Sequence, residues 1–158
     1  MLLLHGSNIV ITQPRLIPSL RLLDFGQGFY LTSDMEQAKK WAMRTTLNRG
    51  IGKATVSIFE IDDDYRTFLN ILAFDKPDAE WLEFVCMNRT GNTPQNVYDI
   101  VKGPVADDQV ARTINNYLSG YLLQEMALQL LLPQRLKDQY AFKTEKALNA
   151  LVFKEAVL

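Results

Sequence analysis

Asp24-Phe25-Gly26-Gln27-Gly28-Phe29-Tyr30-Leu31-Thr32 is the stretch on which the fold turns. Two glycines lead into an aromatic strand over residues 28–32, and a helix start follows at once. Ser33 with Glu36 three residues on is a capping-box pattern, and Ala38, Trp41, Ala42 and Thr45 then recur on one helical face. That helix is expected to fade by Asn48-Arg49-Gly50. Upstream, residues 2–4 read as a short strand running into a Gly6-Ser7 turn, and Pro14 and Pro18 keep residues 14–24 irregular. Downstream, residues 54–61 alternate as a strand bounded by Asp62-Asp63-Asp64, and residues 69–74 form another. Pro77 opens a helix bearing Trp81, Leu82, Phe84 and Val85, with Gly91 at its C-cap. A strand at 97–101 ends at Gly103-Pro104, and helices at 107–118 and 122–131 come next. A strand at 139–143, a helical turn at 144–150 and an apolar run at 151–153 close the chain. Strands at both ends with helices between them do not form repeated strand–helix–strand units. The pattern predicts an α+β fold with a largely antiparallel core.

Composition bounds the function. The 158 residues are 47% hydrophobic and 22% charged, which predicts one domain over residues 1–158. Seventeen Lys and Arg against eighteen Asp and Glu leave a net charge of −1, so there is no bulk electrostatic case for nucleic acid or a membrane surface. Nothing reaches the ~20 apolar residues of a membrane helix; the longest apolar run, 124–132, is broken by Gln124, Glu125 and Gln129. One cysteine, Cys86, and one histidine, His5, make neither a disulfide framework nor a structural zinc site, and a reduced cytoplasmic setting is expected.

The common catalytic signatures are missing. No Gly-x-Ser-x-Gly elbow accompanies His5, no P-loop exists, and Gly26-Gln27-Gly28 lacks the third glycine and helix of a dinucleotide fingerprint. Cys86 sits mid-helix, where a buried thiol is the expectation. Asp62-Asp63-Asp64 lacks calcium-loop spacing and reads as a solvated turn. No metal site is expected. Taken singly, His5 reads as a satisfied structural residue and Gly26-Gln27-Gly28 as a bend.

Together the two segments carry more. His5-Gly6-Ser7 at a strand end, followed by Phe25-Gly26-Gln27-Gly28-Phe29-Tyr30-Leu31-Thr32, resembles the ADP-ribosyltransferase superfamily. The closer likeness is to its diphtheria-toxin-like branch, which includes the poly(ADP-ribose) polymerases and is named for a His-Tyr-Glu triad. The second aromatic expected eleven positions after the strand tyrosine is Trp41, and residues 138–142 resemble the strand that the catalytic glutamate begins. The chain is also similar to a small uncharacterised bacterial family of that superfamily. The shared blocks are residues 23–32, Asp99-Ile100-Val101, residues 103–108 and residues 142–148. Members of that family are expected beside small partner genes, as in toxin–antitoxin pairs.

The resemblance implies an ADP-ribosyltransferase-like fold, a split β core with flanking helices, and NAD as co-substrate without a metal. It implies that His5 bonds a ribose hydroxyl, that the Gly6 backbone meets the nicotinamide carboxamide, and that Ser7 supports that turn. Tyr30 and Trp41 would sandwich the nicotinamide ring, with Gly26 and Gly28 bending the chain to bring Tyr30 there. Two positions depart from the pattern. Ala38 stands where the polymerases carry a carboxamide-binding serine, and Gln139 stands at the glutamate position. Gln139 can bond a ribose hydroxyl but adds no negative charge to an oxocarbenium-like centre, an assistance worth about 10²–10⁴-fold. Glu145, six residues on, is a second candidate catalytic carboxylate, weighed against a structural role in its helical turn. Three readings remain. The first is a mono-ADP-ribosyltransferase with an antitoxin partner, the second an NAD or ADP-ribose binding module, and the third an interaction domain that keeps only the fold.

Overall fold

The computed structural model describes residues 1–92 and 98–158. Two sheets meet along one seam. In the first, β1 (Leu2–Ser7) pairs antiparallel with β3 (Thr55–Glu60), and β3 pairs antiparallel with β7 (Val152–Val157). In the second, the order is β2 (Phe29–Leu31), β6 (Asp138–Phe142), β5 (Ile100–Pro104) and β4 (Ile71–Ala73). All of its pairs are antiparallel except β4–β5. The seam is a single bridge in which Leu4 N–H donates to the Thr32 carbonyl at 2.8 Å and Thr32 N–H to the Leu4 carbonyl at 3.0 Å. The α+β class and the largely antiparallel core follow the sequence pattern.

Period-two alternation gives the sheets two buried faces. Leu3, Phe29, Leu31, Phe59, Tyr140 and Phe142 share one core, closed by Ala147 and Leu148 of α5 (Glu145–Asn149). On the opposite face, α1 (Met35–Arg49) lies on the first sheet, where Ala38 and Ala42 meet Leu4, Val56 and Ile58. The second sheet is covered there by α2 (Ala79–Arg89), α3 (Asp108–Leu118) and α4 (Gln124–Leu131), packed on Phe25, Val101 and Ala141.

Several boundaries differ from the sequence reading. The cap of α1 is Asp34, whose carboxylate accepts from Gln37 N–H, one residue beyond the expected Ser33. Ser33 is instead held by Asp138, which accepts from its N–H and its hydroxyl. β1 continues through Ser7 rather than turning at Gly6, because Gly6 and Ser7 have antiparallel partners in Val56 and Thr55. β5 runs through Gly103 and Pro104, which oppose Gln139 and Asp138; Val97, expected in this strand, lies outside the described residues. β7 extends to Val157 because β3 offers it a free edge.

Candidate functional site

The seam opens where the resemblance expects a ligand. Leu4 turns both peptide groups to Thr32, so Gly6, two residues on, turns its own to the same edge. Thr32 likewise fixes Tyr30 to face β1. No further bridge follows, and the strands part between Gly6 and Tyr30. His5 fills part of the gap: its Nδ1–H donates to the Tyr30 carbonyl at 2.7 Å. Its ring stacks on Phe29, with centroids 4.1 Å apart. A carbonyl only accepts, so the neutral ring carries its proton on Nδ1 and leaves Nε2 as an acceptor. Burial drives the pKa of His5 down to about 4, with the Arg49 charge adding to it against the Tyr30 bond. The imidazole is therefore neutral at pH 7.

Gly6 has a steric reason to be glycine. A Cβ there would lie 2.1 Å from the Ala38 carbonyl oxygen and 3.0 Å from the Trp41 Cβ. The small residues of α1 thus press the helix onto β1 and bring half-buried Trp41 beside Gly6. Ala38, one of the two positions where the sequence departs from the resemblance, is fully buried in this contact. Ser7 is buried, and its hydroxyl donates to Asn8 Oδ1 at 3.4 Å.

Tyr30 points to the helix-covered face of the second sheet, and its hydroxyl is already engaged. It donates to the Gly26 carbonyl at 2.6 Å and accepts from Phe25 N–H at 3.0 Å, and burial pushes its pKa well above the usual tyrosine range. Gly26 takes φ +80°, the left-handed turn a glycine allows. Gly28 acts differently from expectation: its φ is not positive, and a Cβ there would meet the Phe142 carbonyl oxygen at 2.9 Å. Lys143 completes the turn, its Nζ donating to the Phe25 carbonyl at 2.6 Å and the Gln27 carbonyl at 2.8 Å. Burial brings this ammonium down to about 8. Asp24 is anchored by Arg89 at 2.7 Å.

The two carboxyl-end candidates part company. Gln139 alternates with Ala141 onto the face that Tyr30 shares, and the Tyr30↔Ala141 register makes Tyr30 and Gln139 diagonal neighbours at about 7–8 Å. Gln139 is 3% exposed, and its Nε2 donates to the Pro104 carbonyl at a long 3.4 Å, a carbonyl that also takes Trp81 Nε1–H. Glu145 is exposed in the first turn of α5, beyond the opposite end of β6. It is separated from Gln139 by three strand steps of about 3.3 Å and a turn. The structure gathers His5, Gly6, Tyr30 and Trp41 at the seam, with Gln139 alongside, and leaves Glu145 out.

A family model described as a protein of unknown function, DUF3990, matches residues 1–153. The chain belongs to that family. No curated relative and no solved structure matches it.

In this DUF3990 domain, sequence reasoning missed Lys143 and Asp138. Asp138 accepts from Thr32 Oγ1–H at 3.0 Å and from Ser33 N–H at 2.8 Å, which fixes the end of β2 and the entry to α1. A lysine directly after the apolar pair Ala141-Phe142 was the available signal, since an amine leaving a buried strand needs acceptors. Cys86 is a buried thiol pushed up to about 11 by burial and by the Glu83 charge, as a structural thiol should be. Among the described residues, no cluster of three metal-ligating side chains occurs, and no helix is long and apolar enough to cross a membrane. A cavity of about 420 Å³ is lined by residues that include Lys76, Pro77, Pro104 and Arg135, and the Pro104 carbonyl is the acceptor of Gln139.

Proposed function

We propose that this domain binds NAD across the gap between β1 and β2 and acts as a bacterial mono-ADP-ribosyltransferase of toxin–antitoxin type. The reaction cleaves the nicotinamide–ribose bond, in the cytoplasm. One observation carries the reading: the strands part at Gly6 and Tyr30, the two residues the resemblance assigns to nicotinamide, with the Trp41 Cβ packed beside Gly6. The free Nε2 of neutral His5 suits a ribose hydroxyl, which donates to it. Peptide groups at the parted edge suit a carboxamide, which both donates and accepts. Mono-transfer is the proposal because no carboxylate joins Gln139 to drive elongation. An enzyme that consumes its own cell's NAD requires a restraining partner protein.

A second reading, binding without turnover, is favoured by Gln139 itself, buried and bonded to the Pro104 carbonyl. Calorimetric titration with NAD and ADP-ribose beside a nicotinamide-release assay separates the two. Binding with release supports transfer, binding alone supports the module, and no binding removes both. His5→Ala should cost about 0.5–1.5 kcal/mol of NAD affinity with the fold retained. Trp41→Phe should weaken NAD more than ADP-ribose, which lacks the ring that Trp41 would stack on.

A further inference from the structure

NAD carries a doubly charged diphosphate between its two nucleosides, and none of the residues gathered at the seam is a cation. Arg49, in the last turn of α1, supplies one. Ala38, Ala42 and Arg49 stand at i, i+4 and i+11, so they fall within about 40° of one another around the helix. Arg49 thus continues the stripe that α1 lays on β1, where Ala38 and Ala42 crowd Gly6 and pack on Leu4.

Asn8 anchors the guanidinium. It lies two chain steps of about 3.3 Å past Gly6 and is 3% exposed, and its Oδ1 accepts from Arg49 Nη1–H at 3.1 Å. The Asn8 Nδ2–H donates to the Ile51 carbonyl at 3.1 Å, and the Asn8 carbonyl accepts from Lys53 N–H at 2.8 Å. The chain leaving α1 therefore wraps round this one buried amide. Gly52 permits the wrap: its φ is +83°, and a Cβ there would lie 2.2 Å from the Asn8 carbonyl oxygen. Arg49 itself is exposed and forms no ion pair among the described residues. It spends one guanidinium N–H on Asn8 and keeps the rest of its fork for a ligand. Its charge reaches His5, whose pKa it helps to lower.

We infer that Arg49 binds the diphosphate of NAD beside His5, with Asn8 as the residue that positions it. The inference rests on the NAD reading and adds the anion-binding residue that reading lacks. A guanidinium offers a phosphate two parallel N–H bonds and stays charged throughout the pH range of the folded protein. The other cations around the second sheet's end of the seam are spent. Lys143 is held by the Phe25 and Gln27 carbonyls, and Lys137 pairs with Asp34 at 2.7 Å.

The test is calorimetric titration of the full chain, Arg49→Gln and Arg49→Lys with NAD and with ADP-ribose. Both ligands carry the diphosphate, so Arg49→Gln should weaken both by a similar factor, at least about tenfold. Arg49→Lys keeps the charge without the fork and should fall between parent and Arg49→Gln. Added salt should weaken the parent more than Arg49→Gln. Lys40→Gln removes an exposed charge elsewhere on α1 and should bind both ligands as the parent does. His5 is the only histidine, and its ring protons followed by NMR should titrate with a higher pKa in Arg49→Gln than in the parent, with or without ligand. Parent affinity for both ligands in either variant, a loss confined to NAD, or an unchanged His5 pKa overturns the assignment and leaves the NAD reading standing. A parent that binds neither ligand removes the NAD reading, and the assignment with it.

Discussion

The Asp24–Gly28 turn and the Gln139 end of β6 serve the same face of the second sheet, and they are held very differently. The turn is fastened from several sides. Lys143 holds two of its carbonyls, the Tyr30 hydroxyl holds Gly26 and Phe25, Arg89 grips the Asp24 carboxylate, and Asn88 Nδ2–H donates to the Asp24 carbonyl at 3.0 Å. Phe25 is fully buried against Phe74 and Phe84. Gln139, by contrast, makes one long bond to a carbonyl that Trp81 already satisfies. The fold fixes the aromatic strand firmly and leaves the neighbouring glutamine weakly specified. Rigidity here concerns how the seam is shaped, whereas buried Gln139 is held by a single long side-chain bond.

The largest expected effect is on Lys143. Lys143→Met should destabilise by about 2–4 kcal/mol in urea unfolding, because the buried Phe25 carbonyl and the partly buried Gln27 carbonyl lose their donor at once. The pH response sharpens the point. Between pH 8, the folded value, and pH 10.5, the ordinary one, the unfolded chain binds the extra proton, so this group makes the parent gain stability as pH rises. The gain, read as parent minus variant, should vanish in Lys143→Met.

Tyr30→Phe comes next, at about 1–3 kcal/mol, since Gly26 loses a donor and Phe25 an acceptor. His5 braces the same strand end, and its pKa of about 4 against 6.5 means that stability falls as pH drops through that window. Allowing for the solvent contact of a half-buried ring, the loss is about 1–2 kcal/mol, measurable as a stability difference between the parent and His5→Phe at pH 7 and pH 4. Smallest of all, Gln139→Leu should stay within about 1 kcal/mol of the parent, since an apolar group replaces a weak bond in a buried place. A cost equal to that of Lys143→Met would break the comparison.

Legibility in the sequence followed locality. The α1 helix, the Gly50 stop, the Gly26 bend and the Phe29–Leu31 strand were readable because each depends on residues within one or two turns. The shift of the cap from Ser33 to Asp34 was not, since Asp138, more than a hundred residues away, takes Ser33 for itself. The site divided in the same way. His5, Gly6, Tyr30 and Trp41 could be listed from motifs, whereas the placement of Gln139 beside Tyr30 and of Glu145 away from it needed the β2–β6 register and the exposed start of α5.

By itself the sequence determined an α+β chain of net charge −1 with one cysteine and one histidine, and it singled out the segments that meet at the seam. Those properties reside in composition and short-range pattern. Only the tertiary structure decided that β1 and β2 share one bridge and then part, and that Gly6 is demanded by the close approach of Ala38 and Trp41. It also decided that Lys143 is a structural donor rather than a surface charge. The physical reason is that strand pairing and buried hydrogen bonds join residues distant in sequence, and no local periodicity encodes which distant carbonyl a buried amine will find.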